Sequence, residues 1–192
     1  MDTARRVLGI LLIVSMPPAV IHWLIVHPLV AIWRRVPPWM TYGVLVLLLI
    51  GSGGAALAWP HRLLGRDFGT RWPLLALGLA LYAASVWVSL LARRQLDFRT
   101  LAGIPEVTAR PGRLLTEGAY GIRHPRYASV ILGWIGCALM VNYLGVYLIT
   151  LASLLMLIPV IAFEDRELAA RFGSDYLAYR RRVPALLPRR PA

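Results

Sequence analysis

Two short segments in the second half of the chain carry most of the side chains able to do chemistry. The first is Gly118-Ala-Tyr120-Gly-Ile-Arg123-His124-Pro125-Arg-Tyr127, and the second is Glu164-Asp165-Arg-Glu167-Leu168. Together they offer a guanidinium, an imidazole, two tyrosines and paired carboxylates. An arginine fork holds a carboxylate through paired hydrogen bonds. A tyrosine face supports a cation, and a carboxylate accepts a proton from a reacting group.

Each of these residues also has a plainer reading. Arg123 and Arg126 can anchor a helix end to lipid phosphates, with Pro125 starting that helix. Glu164, Asp165 and Glu167 read as a solvated helix face, and Tyr176 and Tyr179 as interfacial aromatics. His22 and His27, beside the first apolar run, read as packing. Cys137 is the single cysteine and lies inside an apolar stretch, so it forms no internal disulfide. No His or Cys spacing suits zinc, and no metal is expected. There is no Ser/His/Asp arrangement and no glycine loop for a phosphate.

The elements that must position these residues are membrane helices. Hydrophobic residues make up 58% of the chain and charged ones only 16%, against about 25% charged in soluble domains. The sequence predicts an all-α integral membrane protein of about five transmembrane helices. The first runs from Val7 to Val26, with Trp33 as its outer limit, and Pro17–Pro18 should kink it. The second covers Met40–Trp59, where Gly51, Gly53 and Gly54 should let a neighbouring backbone approach closely. The third covers Trp72–Ala92. Tyr127–Phe163 is apolar for 37 residues except at Asn142–Gly145. One helix of that length, at about 1.5 Å per residue, would overshoot a bilayer. Two helices folded back at Asn142–Gly145 fit better.

The single domain, 1–192, therefore divides into helices one to three (1–92), a connecting loop (93–126), a helical hairpin (127–163) and a tail (164–192). In the tail, Glu164–Phe172 continues the last helix, Gly173 stops it and Ser174 caps a new turn. Leu168, Phe172, Tyr176, Tyr179 and Val183 then share one face, until Pro184. The hairpin carries the chain out and back, which returns Arg123 and Glu164 to the same rim.

The net charge of +12 comes entirely from arginine, since the chain has no lysine. In a membrane protein this excess points to head groups and not to nucleic acid. Arg5, Arg6, Arg62, Arg66 and Arg71 fall on one side of five crossings, and the other sixteen on the opposite side. The positive-inside rule then puts the loop and tail in the cytosol and the N-terminus outside. The expected location is the cytoplasmic (inner) membrane.

The order Gly-x-Tyr-x-x-Arg-His-Pro-x-Tyr, hairpin, Glu-Asp-x-x-Leu-x-x-x-Phe-Gly-x-x-Tyr-x-x-Tyr closely resembles the isoprenylcysteine carboxyl methyltransferase and phospholipid methyltransferase superfamily, over Leu114–Pro188. The resemblance implies a membrane enzyme that binds S-adenosylmethionine near the cytosolic surface. Its lipophilic substrate would enter from the bilayer. By motif match, Tyr120, His124, Pro125, Tyr127, Glu164, Asp165 and Tyr176 hold the cofactor, and Arg123 and Glu164 lie closest to chemistry. Two positions depart from the family pattern: Ser129 stands where glycine is frequent, and Asp165 replaces a second glutamate. An NADPH-dependent reductase of sterol-reductase type shares an Arg-His-x-x-Tyr segment, but Pro125 and Phe172-Gly173 favour the methyltransferase. A non-enzymatic membrane protein is the third alternative.

Overall fold

Proline sets the helix starts in this chain. Its fixed φ suits the first helical positions, where the missing N–H costs no bond, and Pro38, Pro60, Pro73 and Pro125 all stand there. The computed structural model describes residues 2–94 and 121–187. Its helices are α1 (Asp2–Val26), α2 (Val30–Trp33), α3 (Pro38–Ala58), α4 (Pro60–Leu64), α5 (Trp72–Arg93), α6 (Pro125–Val141) and α7 (Leu144–Arg182). No strand forms among the described residues. α1, α3, α5 and α7 are each long and apolar enough to cross a membrane, whereas α6 is apolar but only 17 residues long. Most of the expected connecting loop lies outside the described residues.

α1 continues through Pro17–Pro18 as one helix. Pro18 has no N–H to give the carbonyl four residues back, that of Val14. The Ser52 hydroxyl of α3 donates to that oxygen instead, at 2.8 Å. A neighbouring helix thus supplies the bond the proline withholds, a requirement where no water is available.

The close backbone approach is not where the glycines of α3 led us to expect it. A Cβ added at Gly51, Gly53 or Gly54 would meet nothing within 4 Å, because α3 turns Ser52 and Ala56 inward and those glycines elsewhere. A tight contact instead joins α5 and α6. A Cβ at Gly78 would stand 2.6 Å from the Gly136 carbonyl oxygen, and one at Gly136 would stand 2.7 Å from that of Gly78. Two serines complete the seam: Ser85 Oγ donates to the Ser129 carbonyl at 2.7 Å, and Ser129 Oγ donates to the Ser85 carbonyl at 3.0 Å. Ser129, unusual for the motif, serves this helix contact.

α6 and α7 are joined through Asn142 and Tyr143. Asn142 is left-handed (φ 55°, ψ 49°), a conformation asparagine tolerates better than most residues. Its side-chain amide donates to the Gly69 carbonyl at 2.8 Å, and the Leu144 N–H donates to the Arg66 carbonyl at 2.9 Å. The two arms then part company: α6 packs chiefly along α5, and α7 along α1.

These contacts define two ends. Arg5, Asp67, Val141 and Tyr143 meet at one. His27, Arg34, His124, Asp165 and Glu167 gather at the other. Between them lie two apolar clusters, one around Met16, Val141 and Val146 and one around Val20, Tyr127 and Val160. Leu47, Trp87 and Ile158 are exposed on the outer faces of α3, α5 and α7, as side chains facing lipid would be.

Candidate functional site at the Asp165 end

The apolar part of α7 ends at Phe163, and Asp165 is the first buried carboxylate beyond it. An isolated buried carboxylate is expensive, so it must be hydrogen-bonded or paired. His124 Nε2 lies 2.9 Å from Asp165 Oδ1, and the Tyr176 hydroxyl donates to the same oxygen. Arg123 Nη2 donates to Oδ2 at 3.3 Å, and Arg180 Nε stands 3.7 Å from it.

Tyr176 reaches this carboxylate because the helix breaks at Gly173. Eleven residues of straight helix would set Tyr176 about 16 Å along the axis from Asp165. Gly173 adopts φ 58°, ψ −132°, which a residue with a side chain strongly resists. The chain beyond it is redirected, and Tyr176 and Arg180 come back beside Asp165.

Main-chain bonds hold the other side. The Arg123 N–H donates to the Pro184 carbonyl at 2.8 Å, and the His124 N–H to that of Ala185 at 3.0 Å. His124 occupies the N-cap position of α6, yet its side chain makes no capping bond. The imidazole is turned to Asp165 instead.

The electrostatics follow from these contacts. Burial disfavours the Asp165 carboxylate, but the hydrogen bonds from His124 and Tyr176, with the charge of Arg123, bring its pKa down to about 2. The Tyr176 hydroxyl moves the other way. Burial, its bond to Asp165 and the nearby Glu164 raise its pKa, against Arg123. Asp165 is therefore a fixed anion, and Tyr176 a fixed donor.

The structure brings Arg123, His124, Asp165 and Tyr176 together. Glu164 stays close enough to act on Tyr176, but its carboxylate makes no hydrogen bond to another described residue, and Arg123 pairs with Asp165, not with it. Pro125 is buried as the first residue of α6. Tyr127 is buried in the apolar cluster of Val20 and Leu157, its ring 5.7 Å from that of His124. Tyr120 lies outside the described residues. Within this cluster, Arg123 Nε is buried with no partner among the described residues.

Sequence reasoning missed the role of Arg180. Its spacing of four residues from Tyr176 puts both on one helix face and was the available signal. It also missed that Glu167 binds residues of the first half of the chain. Glu167 Oε2 lies 3.1 Å from His27 Nδ1, and Arg34 Nη2 donates to Oε1 at 2.7 Å. Among the described residues, no three His, Cys, Asp or Glu side chains form a metal site.

Comparison with known proteins gives a consistent result. The family model for phospholipid methyltransferase matches residues 73–175, more than half of the chain. The cobalt-zinc-cadmium resistance protein CzcN of Cupriavidus metallidurans is 42% identical over 78 residues, 40% of this chain and 36% of that protein. Methanethiol S-methyltransferase 2 of Bradyrhizobium diazoefficiens is 39% identical over 69 residues, 35% of this chain and 26% of that protein. The chain thus spans about a third of one curated relative and a quarter of the other. No solved structure matches.

Proposed function

Since this chain belongs to the phospholipid methyltransferase family, we propose that it is a membrane methyltransferase that takes its methyl group from S-adenosylmethionine and passes it to a lipid-soluble acceptor. The observation that carries this reading is the buried Asp165, which ties the Arg123–His124 segment to the tail beyond Gly173. The membrane helices around it and the methyltransferase name of one relative agree with it.

The residues fit the cofactor. The buried Nε–H of Arg123 is a donor without an acceptor among the described residues, and a carboxylate would satisfy it. Glu164 is a carboxylate without a hydrogen-bonded partner among the described residues, suited to an ammonium or a ribose hydroxyl. An amino acid zwitterion carries both complements. Tyr120, His124, Pro125, Tyr127, Asp165 and Tyr176 would complete the holding set. When bound, the cofactor supplies a methyl group on a sulfonium. The chain has only to align the acceptor with that methyl group and exclude water. With an amine acceptor, Glu164 is the base that takes the released proton. The site faces the cytosol in this reading, with the arginine-rich tail on the same side.

Calorimetry on the full chain in detergent tests the proposal. S-adenosylmethionine should bind, and His124→Ala and Glu164→Gln should each weaken it by about tenfold. Binding of NADPH with no binding of S-adenosylmethionine would overturn it in favour of a reductase.

A further inference from the structure

His22 of α1 is 1% exposed, and both its ring nitrogens are buried with no partner among the described residues. The buried Thr41 hydroxyl of α3 is in the same condition, and the two side chains do not bond each other. The rings of Trp23 and Tyr42 border the imidazole, with centroids at 5.1 and 6.2 Å. Those ring contacts leave its nitrogens unmet.

Polar groups in this condition are costly. A buried donor or acceptor without a partner loses its hydration and gains nothing in return, and within hydrocarbon no water is at hand. Apolar side chains at both positions would serve packing better. An ionisable residue inside a membrane span therefore marks a place where a ligand passes or binds. A charged imidazole would be costlier still at that depth, so His22 is neutral, with one nitrogen that donates and one that accepts. Its complement is an uncharged group that can do both, a hydroxyl.

Position ties this pair to the Asp165 end. α1 and α7 pack together and run the same way, from the Arg5 end to the bond between His27 and Glu167. His22 precedes His27 by about 7.5 Å of helix axis, and Asp165 precedes Glu167 by about 3 Å. The imidazole thus lies about 4.5 Å nearer the bilayer centre than the Asp165 carboxylate. Beside it, the Trp23 ring holds the Arg126 guanidinium at 5.2 Å, three residues past Arg123. α3 packs chiefly on α1, and Thr41 and Ala56 are its only buried residues. Parting α3 from α1 at its Thr41 end opens both groups to lipid and leaves the contact of α1 with α7 in place. We infer that His22 and Thr41 are the hydrogen-bonding point for the lipid-soluble acceptor, which enters between α1 and α3 and carries an uncharged hydroxyl. The methyltransferase reading is needed only to call this ligand the acceptor.

The test is the melting temperature of the full chain in neutral detergent, doped with hexadecanol, hexadecane or hexadecyl phosphate and without cofactor. Hexadecanol should raise it at least about twice as much as hexadecane, since a ligand of the folded state stabilises it. Hexadecyl phosphate should do no better than hexadecane. His22→Leu and Thr41→Val should each remove the excess due to the alcohol, because a site built to bond a hydroxyl distinguishes it from the bare chain. The valine matches threonine in shape and removes a hydroxyl that has no partner, so the undoped Thr41→Val chain should melt no lower than the native one. Equal shifts from alcohol and alkane would overturn recognition of a hydroxyl. A larger shift from the phosphate would overturn the uncharged ligand, and an excess kept in both variants would overturn the site. Calorimetry of S-adenosylmethionine on the native chain decides the cofactor reading separately, so either can fail alone.

Discussion

Each end of this bundle is held by an arginine and an aspartate, and the two pairs are built to opposite designs. At the Arg5 end the cation is the hub. Arg5 donates through Nε and Nη2 to the Val141 carbonyl, at 3.0 and 2.9 Å, and pairs with Asp2 and Asp67 beneath the Tyr143 ring. It thereby occupies a carbonyl at the C-terminus of α6, where a cation is favoured. Asp67 is 42% exposed, so water shares its charge. At the Asp165 end the anion is the hub, it is buried, and its main cation keeps a donor with no partner among the described residues. The first arrangement satisfies the fold. The second keeps a buried donor unmet among the described residues, which is what the proposed cofactor site requires.

The comparison can be broken first at Arg5. Arg5→Ala strands the Val141 carbonyl and loosens the loop at Asp67, a loss of roughly 3 kcal/mol in stability. Thermal melting in detergent measures it, and affinity for cofactor should be almost unchanged at temperatures where the variant is folded. If affinity collapses while the fold survives, the two ends are not separable.

Acid tests the other hub. The Asp165 pKa is about 2 in the fold against an ordinary value of 3.8, so it contributes stability that is present above 3.8 and lost as pH falls through 2. The contribution is roughly 2 kcal/mol. Melting temperatures followed between about pH 6 and pH 2 should fall more steeply for the native chain than for Asp165→Asn. Asp67, also lowered but largely solvated, should leave a smaller acid step when replaced by Asn.

Arg123→Lys keeps the charge and loses the planar fork. Methyl transfer should drop by at least about tenfold with the fold intact, whereas Arg5→Lys should leave turnover near normal. Equal tolerance at both positions would make Arg123 an anchor. The smallest effect belongs to Arg180→Ala. Arg180 is half exposed and 3.7 Å from Asp165, so cofactor affinity should change by no more than about twofold.

Much of this arrangement is legible in the residues. The polar interruption at Asn142–Gly145 inside a long apolar run already demands a hairpin. The hairpin already returns His124 and Asp165 to one rim. Gly173, followed by Tyr176 and Tyr179, marks the break that lets the tail fold back. The seam at Gly78 and Gly136 is another matter. A glycine in an apolar helix looks the same whether a backbone or lipid lies against it, so Gly51, Gly53 and Gly54 drew the expectation that Gly78 deserved. The pairing of His27 with Glu167, 140 residues apart, leaves no trace in spacing or period. Nor does the bond from Ser52 to the carbonyl that Pro18 leaves open.

The two main-chain bonds from Arg123 and His124 to the carbonyls of Pro184 and Ala185 bear on the order in which the protein comes into being. A chain is made from its N-terminus, and those acceptors leave the ribosome after every described helix has been synthesised. Until then Arg123 and His124 lack their clasp, and the helices must find one another without it. The cluster around Asp165 can thus gain these two bonds only once α7 has been synthesised. Because the clasp is made of peptide groups, changing the side chain of Ala185 leaves its carbonyl in place, whereas ending the chain before Pro184 would remove both acceptors.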